Sequence, residues 1–456
     1  MEEETRVSDH SVHRCRATRV RHVGERAVGG VPRIALAVLA MVAATVATPA
    51  TARAAEAAEG YVVVLDADRD VVGDAFRLGR TGGFLAEDHY DTALAGFAAM
   101  LTPRQVARIE HSPGVAFVSR DIRIATASLT NLAPGESVPT GVRRIAAATN
   151  TQVRLAADVG VAVIDTGVDL ESPDLRVRDG TSCIQKSKTA NDDSGHGTHV
   201  AGTIGAQNSG SGTVGVAPGT QLYAVKVLDS SGAGRLRDLI CGLDWVARNA
   251  ARFGIRVVNL SLTAPGSSDR NCGRDNRDAL HRAICGVVAR NVVVVAAAGN
   301  GSSDVATSVP AAYPEVLAVS AIADSDGSPG GEGGQTSCAA IERDDTAATF
   351  SNFAVSVAEA NHIIAAPGVC VASTTIGGEI RVASGTSFAS PHVTAAVALC
   401  HSTGGVQGRC AGLTPLAAIR EFMRIAAERP STFGFDGDPG RPAFGRTYGY
   451  LVYGGP

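Results

Sequence analysis

Six short apolar stretches alternate with helical ones over most of the chain, and this pattern limits the fold more than any other feature. Residues 159–164, 221–228, 257–262, 292–298, 316–321 and 363–366 are almost uninterrupted runs of Val, Ile, Leu and Ala. Between them lie segments with helical periodicity: 199–205, 236–249, 279–290 and 386–399. In the second of these, Leu239, Leu243 and Val246 recur at helical spacing. Strands apolar on both faces must be covered on both faces, which predicts an α/β fold: a parallel sheet with helices on either side. The 52 glycines and the low aromatic content of 4% suit such a fold with many tight turns. Residues 324–335 are Gly-rich and read as a surface loop.

The chain has 456 residues, too many for one average domain. Residues 34–47 are uncharged and apolar, with basic residues before them and an A-x-A pattern, Ala52-Arg53-Ala54, after them. That is the layout of a secretory signal peptide, and it is shorter than the roughly 20 residues of a membrane span. It predicts a secreted protein without a stable membrane anchor. The polar leader of the first 30 residues is unusually long for a signal, which points to a translation start downstream of Met1. Three regions follow from this reading: a leader and signal over 1–54, a small α+β unit over 55–126 and a large unit over 127–456. In the small unit, 61–65 and 115–118 read as strands, and Thr102-Pro103 opens a helix with a cap and a first-turn proline. Residues 125–150 read as an irregular polar linker and entry arm. A net charge of −4 gives no reason to expect nucleic acid as a partner.

Cys15 precedes the signal. Eight cysteines remain, and an even number in a secreted chain suggests disulfides. Cys272–Cys285 and Cys400–Cys410 would each close a short loop. Cys183–Cys241 and Cys338–Cys370 follow by elimination, with a buried free thiol as the alternative for Cys241.

The chemistry sits where the sheet would present it, beyond the carboxyl ends of its strands. Asp165 ends the first apolar stretch, in Val163-Ile164-Asp165-Thr166-Gly167. Asn300 follows Ala297-Ala298-Gly299. His196, in Gly195-His196-Gly197-Thr198-His199, and Ser387, in Gly385-Thr386-Ser387-Phe388-Ala389-Ser390-Pro391, each stand at a helix start. A serine needs an adjacent base to become a nucleophile. His196 can take its proton, Asp165 can orient the imidazole, and Asn300 with the Ser387 backbone N–H can hold an oxyanion. Each residue alone has a plainer reading: a strand-ending turn for Asp165, a core or metal-binding histidine for His196, a turn for Asn300. The His-Glu-x-x-His zinc pattern and the Gly-x-Ser-x-Gly elbow of esterases are both missing. His199 and His392 read as structural, and Asp192 and Asp193 as caps for the helix of His196.

These three motifs, in the order Asp, His, Ser, resemble those of the subtilisin/proteinase K family of secreted serine proteases. The resemblance runs from about 140 to 425. It implies that Ser261, Leu262, Thr263, Ala297, Ala298 and Gly299 wall the primary specificity pocket, with Ala312 at its base. It also implies that Ser231-Gly232-Ala233-Gly234 is a strand that pairs with bound peptide. Residues 61–124 resemble the family's inhibitory propeptide, which would place the mature start between 122 and 135. The expected protein is a monomeric endopeptidase acting on extracellular proteins and peptides, first blocked by its own propeptide. No cofactor is needed for the chemistry. Structural calcium is common in the family, and Asp169, Asp174 and the 323–345 loop are its candidate ligands here. Two features depart from many relatives: Thr263 replaces a glycine at the pocket rim, and Phe388 replaces a methionine after the nucleophile. Apolar or aromatic residues are expected before the cut. Two alternatives stay open: a silent scaffold that keeps the triad, and a protease that cuts only itself.

Overall fold

Successive residues of a strand face opposite ways, and in this chain both ways are apolar. Val161 and Val163 enter one core, while Ala162 and Ile164 enter another. A computed structural model of the chain describes residues 57–455, apart from 67–68, 92–93, 122–128, 185–186, 211, 403–407 and 444. The expected signal segment lies outside the described residues, as does part of the expected maturation region.

The small unit begins with strand β1 (Glu59–Leu65) and helix α1 (Val71–Gly82). Strands β2 (Ala86–Tyr90) and β3 (Gly96–Leu101), helix α2 (Pro103–Ile109) and strand β4 (Val115–Arg120) follow. The strands form an antiparallel sheet in the order β2-β3-β1-β4. One face packs on the helices through Val63, Leu65, Phe97 and Leu101 against Val71, Ala75, Leu78 and Ile109. The start of α2 is fixed by a capping box: Gln105 N–H donates to Thr102 Oγ1, and Gln105 Oε1 accepts from the Thr102 N–H at 2.7 Å.

The large sheet holds β5 (Gly160–Asp165), β6 (Val177–Ser182), β7 (Leu222–Lys226) and β8 (Ile255–Leu260). It continues with β9 (Val293–Ala297), β10 (Val316–Ala323), β11 (Thr346–Ala347) and β12 (Ile363–Pro367). Its order is β11-β10-β9-β8-β5-β7-β6, with β12 also paired to β10, and every pairing but β10 with β11 is parallel. Helices α3 (His196–Gly205), α4 (Leu236–Phe253), α5 (Ala279–Val288), α6 (Thr386–His401) and α7 (Pro415–Ala427) cover it. α4 and α5 bury Leu239, Leu243, Val246, Ile284 and Val287 on the Ile164 face. α3, α6 and α7 bury Val200, Ile204, Val393, Val397 and Phe422 on the Val163 face. The α/β architecture read from the alternation is the one observed.

The 125–150 segment is more ordered than its composition suggested. Leu129–Asn131 pairs antiparallel with Gln152–Arg154, and Glu136–Ser137 pairs with Gly212–Thr213. In the short helix Thr140–Arg144 and its C-cap, Val142 and Ile145 are buried, and buried Arg144 donates to Asp345 at 2.6 Å. Three buried anchors in a polar stretch explain the difference: they hold the segment onto the peptidase core.

Four disulfides join Cys183–Cys241, Cys272–Cys285, Cys338–Cys370 and Cys400–Cys410. These are the same four pairs expected from spacing and elimination. Among the described residues, no helix is long and apolar enough to cross a membrane.

Candidate active site

Asp165 is the last residue of β5 and is fully buried. The next turn must bring the His196 helix almost into contact with it. Gly197 makes that possible, because a Cβ there would lie 2.0 Å from the Gly167 carbonyl and 3.1 Å from the Asp165 Cβ. His196, the first residue of α3, faces Asp165 with Nδ1 2.7 Å from Oδ1. The same Oδ1 accepts the Thr166 N–H at 2.7 Å, and Oδ2 is buried without a hydrogen-bond partner. The Asp165 charge raises the His196 pKa above the ordinary histidine value, outweighing burial.

The start of α3 is held by Asp192 rather than by an N-cap side chain. Asp192 Oδ1 accepts from the N–H groups of Ser194 and Gly195 and from Thr166 Oγ1, while Oδ2 accepts from the N–H and hydroxyl of Thr198. Burial pushes its pKa up, but these donors outweigh burial and leave it below the usual carboxylate range. Asp193, the other expected cap, instead accepts from buried Lys226 Nζ at 2.6 Å. His199 and His392 are buried structural groups. His199 Nε2 faces the Val371 and Arg381 carbonyls, and His392 Nδ1 faces the Phe388 carbonyl. Burial pulls both pKa values down to about 4.

Ser387 is the second residue of α6, so its backbone N–H is one of the unpaired donors of a helix start. Its hydroxyl donates to the Ser261 carbonyl at 3.1 Å. Asn300 is oriented by Thr386, whose N–H and hydroxyl both donate to Oδ1 at 2.9 Å. With its oxygen held in this way, the Asn300 amide keeps Nδ2 as a donor. Phe388 lies between the imidazoles of His196 and His199, at 5.2 and 4.6 Å between ring centroids.

His196 and Ser387 line one groove of about 620 Å³. One wall is Gly232, Ala233 and Gly234 with Ser231, and the other is Ser261, Leu262, Thr263 and Ala264. Leu239 and Leu280 also line it. The first wall is a turn, not the strand that family resemblance implied. Asp229 causes this: its carboxylate accepts the N–H groups of Ser231 and Ala233, and its own N–H donates to the Ala233 carbonyl. Ala297, Ala298 and Gly299 are buried, at and just beyond the end of β9. Ala312, expected at the pocket base, is only 4% exposed and packs into the core with Tyr313 and Val316. A Cβ on Gly299 would lie 2.4 Å from Asn352 Nδ2 and 3.0 Å from Ser308 Oγ, so no side chain fits at that position.

Asn259 was passed over in the sequence, yet it links the groove to α6. Its Nδ2 donates to Ser261 Oγ, and its Oδ1 accepts from Ser390 and Thr394. An amide inside the apolar run Val257-Val258-Asn259-Leu260 was the signal available. Asn352 supports the oxyanion turn in the same way, donating to the Ala298 carbonyl and accepting from Gly301 and Ser303.

Of the candidate calcium ligands, Asp169 already accepts from Glu171 N and Gly377 N. The pKa of Asp174 is pushed up to about 7 by burial and by nearby Glu136. In the 323–345 loop, Asp324, Asp326 and Asp344 bring carboxylate oxygens within 4.8 Å of one another, but backbone N–H groups of Ser325, Gly327, Ser328 and Gly333 already bond to them.

The arrangement can do acyl transfer. The Asp165 carboxylate fixes the imidazole, His196 and Ser387 share one groove, and the Asn300 amide and the Ser387 N–H offer donors at the start of α6. Residues 156–448 match the model of the subtilase family, and residues 78–127 match that of the peptidase inhibitor I9 family. The chain is 38% identical over 307 residues to subtilisin E of Bacillus subtilis (strain 168), covering 66% of this chain and 69% of that protein. It is 35% identical over 300 residues to an alkaline protease of Shouchella clausii, covering 66% of this chain and 67% of that one. Its fold is similar to the crystal structure of a cold adapted subtilisin-like serine proteinase, with a TM-score of 0.50 and 28% identity, over 69% of this chain and 97% of that one. The chain therefore belongs to the subtilase family, as a serine endopeptidase that carries an inhibitor I9 domain ahead of its peptidase domain.

Proposed function

We propose that this endopeptidase is secreted as an inactive precursor, removes its own I9 domain and then acts as a monomer on extracellular proteins. In this reading residues 1–54 are leader and signal, 55–126 the inhibitory propeptide and 127–456 the mature enzyme, with the cut between 122 and 135. The observation that carries the proposal is the convergence at one groove of the Asp165–His196 pair, 2.7 Å apart, and the Ser387 hydroxyl at the start of α6. His196 acts as base toward Ser387 and then as acid toward the leaving amine. The Ser387 N–H and Asn300 Nδ2 stabilise the oxyanion. The match of residues 78–127 to the inhibitor I9 family supports the precursor reading.

Peptide would lie between the 231–234 turn and the 261–264 wall, held by backbone hydrogen bonds. The lining leucines, Leu228, Leu236, Leu239, Leu262 and Leu280, favour apolar or aromatic residues before the cut. Thr263 at the rim narrows the entry and disfavours the bulkiest residues.

The test is expression of Ala55–Pro456 beside its Ser387→Ala variant, with intact-mass measurement. The parent should lose about 7 kDa from its N-terminus, the mass of a propeptide-sized unit, while the variant stays whole. If both stay whole or both are cut alike, self-processing fails. If the parent matures yet does not digest casein, the enzyme cuts only itself.

A further inference from the structure

His281 lies outside the catalytic groove and has no part in the chemistry above, yet it is fully buried between two carboxylates. Its Nε2 is 2.9 Å from Glu315 Oε2, and its Nδ1 faces Asp269 Oδ1 at 3.0 Å, an ion-pair contact off the line of a good hydrogen bond. Its ring stacks on Tyr313 at 4.1 Å with an angle of 2°. The Tyr313 hydroxyl donates to Asp278 at 2.6 Å, and Asp278 caps the helix that carries His281. Asp269, Glu315, Asp278 and Tyr313 thus form a polar cage around the imidazole.

The cage joins three separate segments. Asp269 organises the loop that follows the groove wall, its carboxylate accepting the N–H groups of Asn271, Gly273 and Asp275. That loop is under backbone tension, because Arg270, Cys272 and Arg277 all have positive φ, at 54°, 52° and 60°. The Cys272–Cys285 disulfide ties it to α5. Glu315 and Tyr313 follow the segment whose Ser308 and Val309 pair with Pro265 and Ala264, at the end of the groove wall. Leu280, the residue before His281, lines the groove itself.

We propose that His281 is a positioning residue for substrate. Clamped between Asp269 and Glu315, it holds the 266–278 loop, and through that loop the 261–264 wall, in the shape that receives an extended peptide. The proposal rests on the protease reading and assigns His281 to peptide affinity rather than to bond cleavage.

The test compares mature wild type with His281→Gln on two probes: a peptide long enough to fill the groove and a single-residue anilide that reaches only the catalytic centre. The expected result is a KM for the long peptide raised about fivefold or more, kcat within about twofold and unchanged hydrolysis of the anilide, the pattern of lost uniform binding. Asp269→Asn is the second variant, in case His281→Gln does not fold. It keeps an oxygen for the loop amides but removes the charge facing His281, and it should show the same split to a smaller degree. Equal losses on both probes, a fall in kcat alone, or an unchanged KM in a folded variant overturns the proposal. A wild type inactive on both probes would instead refute the protease reading.

Discussion

Ser261 and Ser387 are hydrogen-bonded to each other in both directions. The Ser387 hydroxyl donates to the Ser261 carbonyl at 3.1 Å, and the Ser261 hydroxyl donates to the Ser387 carbonyl at 2.6 Å. Ser387 is thus fastened to one wall of the groove. To act as the proposed nucleophile, its hydroxyl has to turn from that carbonyl to His196.

Replacing Ser261 with Ala removes the bond that fixes the Ser387 backbone and leaves Asn259 Nδ2 without its acceptor. The expected outcome is a folded, self-processing enzyme with kcat/KM lowered roughly three- to tenfold, the scale of one lost hydrogen bond. Steady-state kinetics check this. A variant as fast as the parent would show that the reciprocal pair is idle.

The ion pair of Asp165 and His196 sets the pH response. Catalysis needs neutral imidazole, and the Asp165 charge raises the His196 pKa. The acid limb of kcat/KM should therefore lie above the ordinary histidine value. The same pair stabilises the fold below the pKa of unfolded histidine, and that contribution is lost as pH rises through the raised folded value. Asp165→Asn removes the largest cause of the shift, so the limb should move down in pH while kcat falls by about 10⁴. A pH–rate profile of both proteins decides it, and an unmoved limb would mean that another group controls the profile.

The residues of the candidate site were legible because each sits in a local motif with its own backbone demand. Gly197 must let Asp165 approach, and Ser387 must open a helix. The sheet was legible for a similar reason, since strands buried on both faces leave an apolar run. What remained hidden is assembled from distant segments. Nothing in the sequence around Asp269, His281 or Glu315 announces that they meet, because each alone looks like a surface residue of a polar loop or helix. The 231–234 turn was misread as a strand because resemblance carries a chain direction but not the Asp229 side chain that curls it. Arg144 likewise looked like linker composition until Asp345 supplied its counter-charge from 201 positions away.

Phe388 stands next to Ser387 and packs on His196, and phenylalanine has no thioether to oxidise. Of the protein's four methionines, only Met423 lies in the peptidase domain. The enzyme should keep most of its activity in dilute peroxide, whereas Phe388→Met should lose it progressively with a gain of one oxygen on that residue. Residual activity and peptide mass spectra, followed together, check this. Rapid loss in the parent would place the oxidation-sensitive group elsewhere.

Asp174 gives the sharpest stability prediction. It is 7% exposed, and burial together with Glu136 pushes its pKa up to about 7. The folded chain therefore holds a proton that the unfolded chain releases near about pH 4. Between those values stability falls as pH rises, and above about 7 the cost is complete. Asp174→Asn removes that cost, so at pH 8 in a chelating buffer its Tm should exceed the parent's, by about 2–4 °C for each kcal/mol recovered. The gain should shrink steadily toward pH 4. Calcium reverses the sign if Asp174 serves as a ligand: the parent would then gain stability from the added ion, and the variant would not. Melting curves at pH 4, 6 and 8, with chelator and with calcium, separate the two effects. A variant no more stable than the parent at pH 8 in chelator would show that Asp174 and Glu136 carry no electrostatic strain.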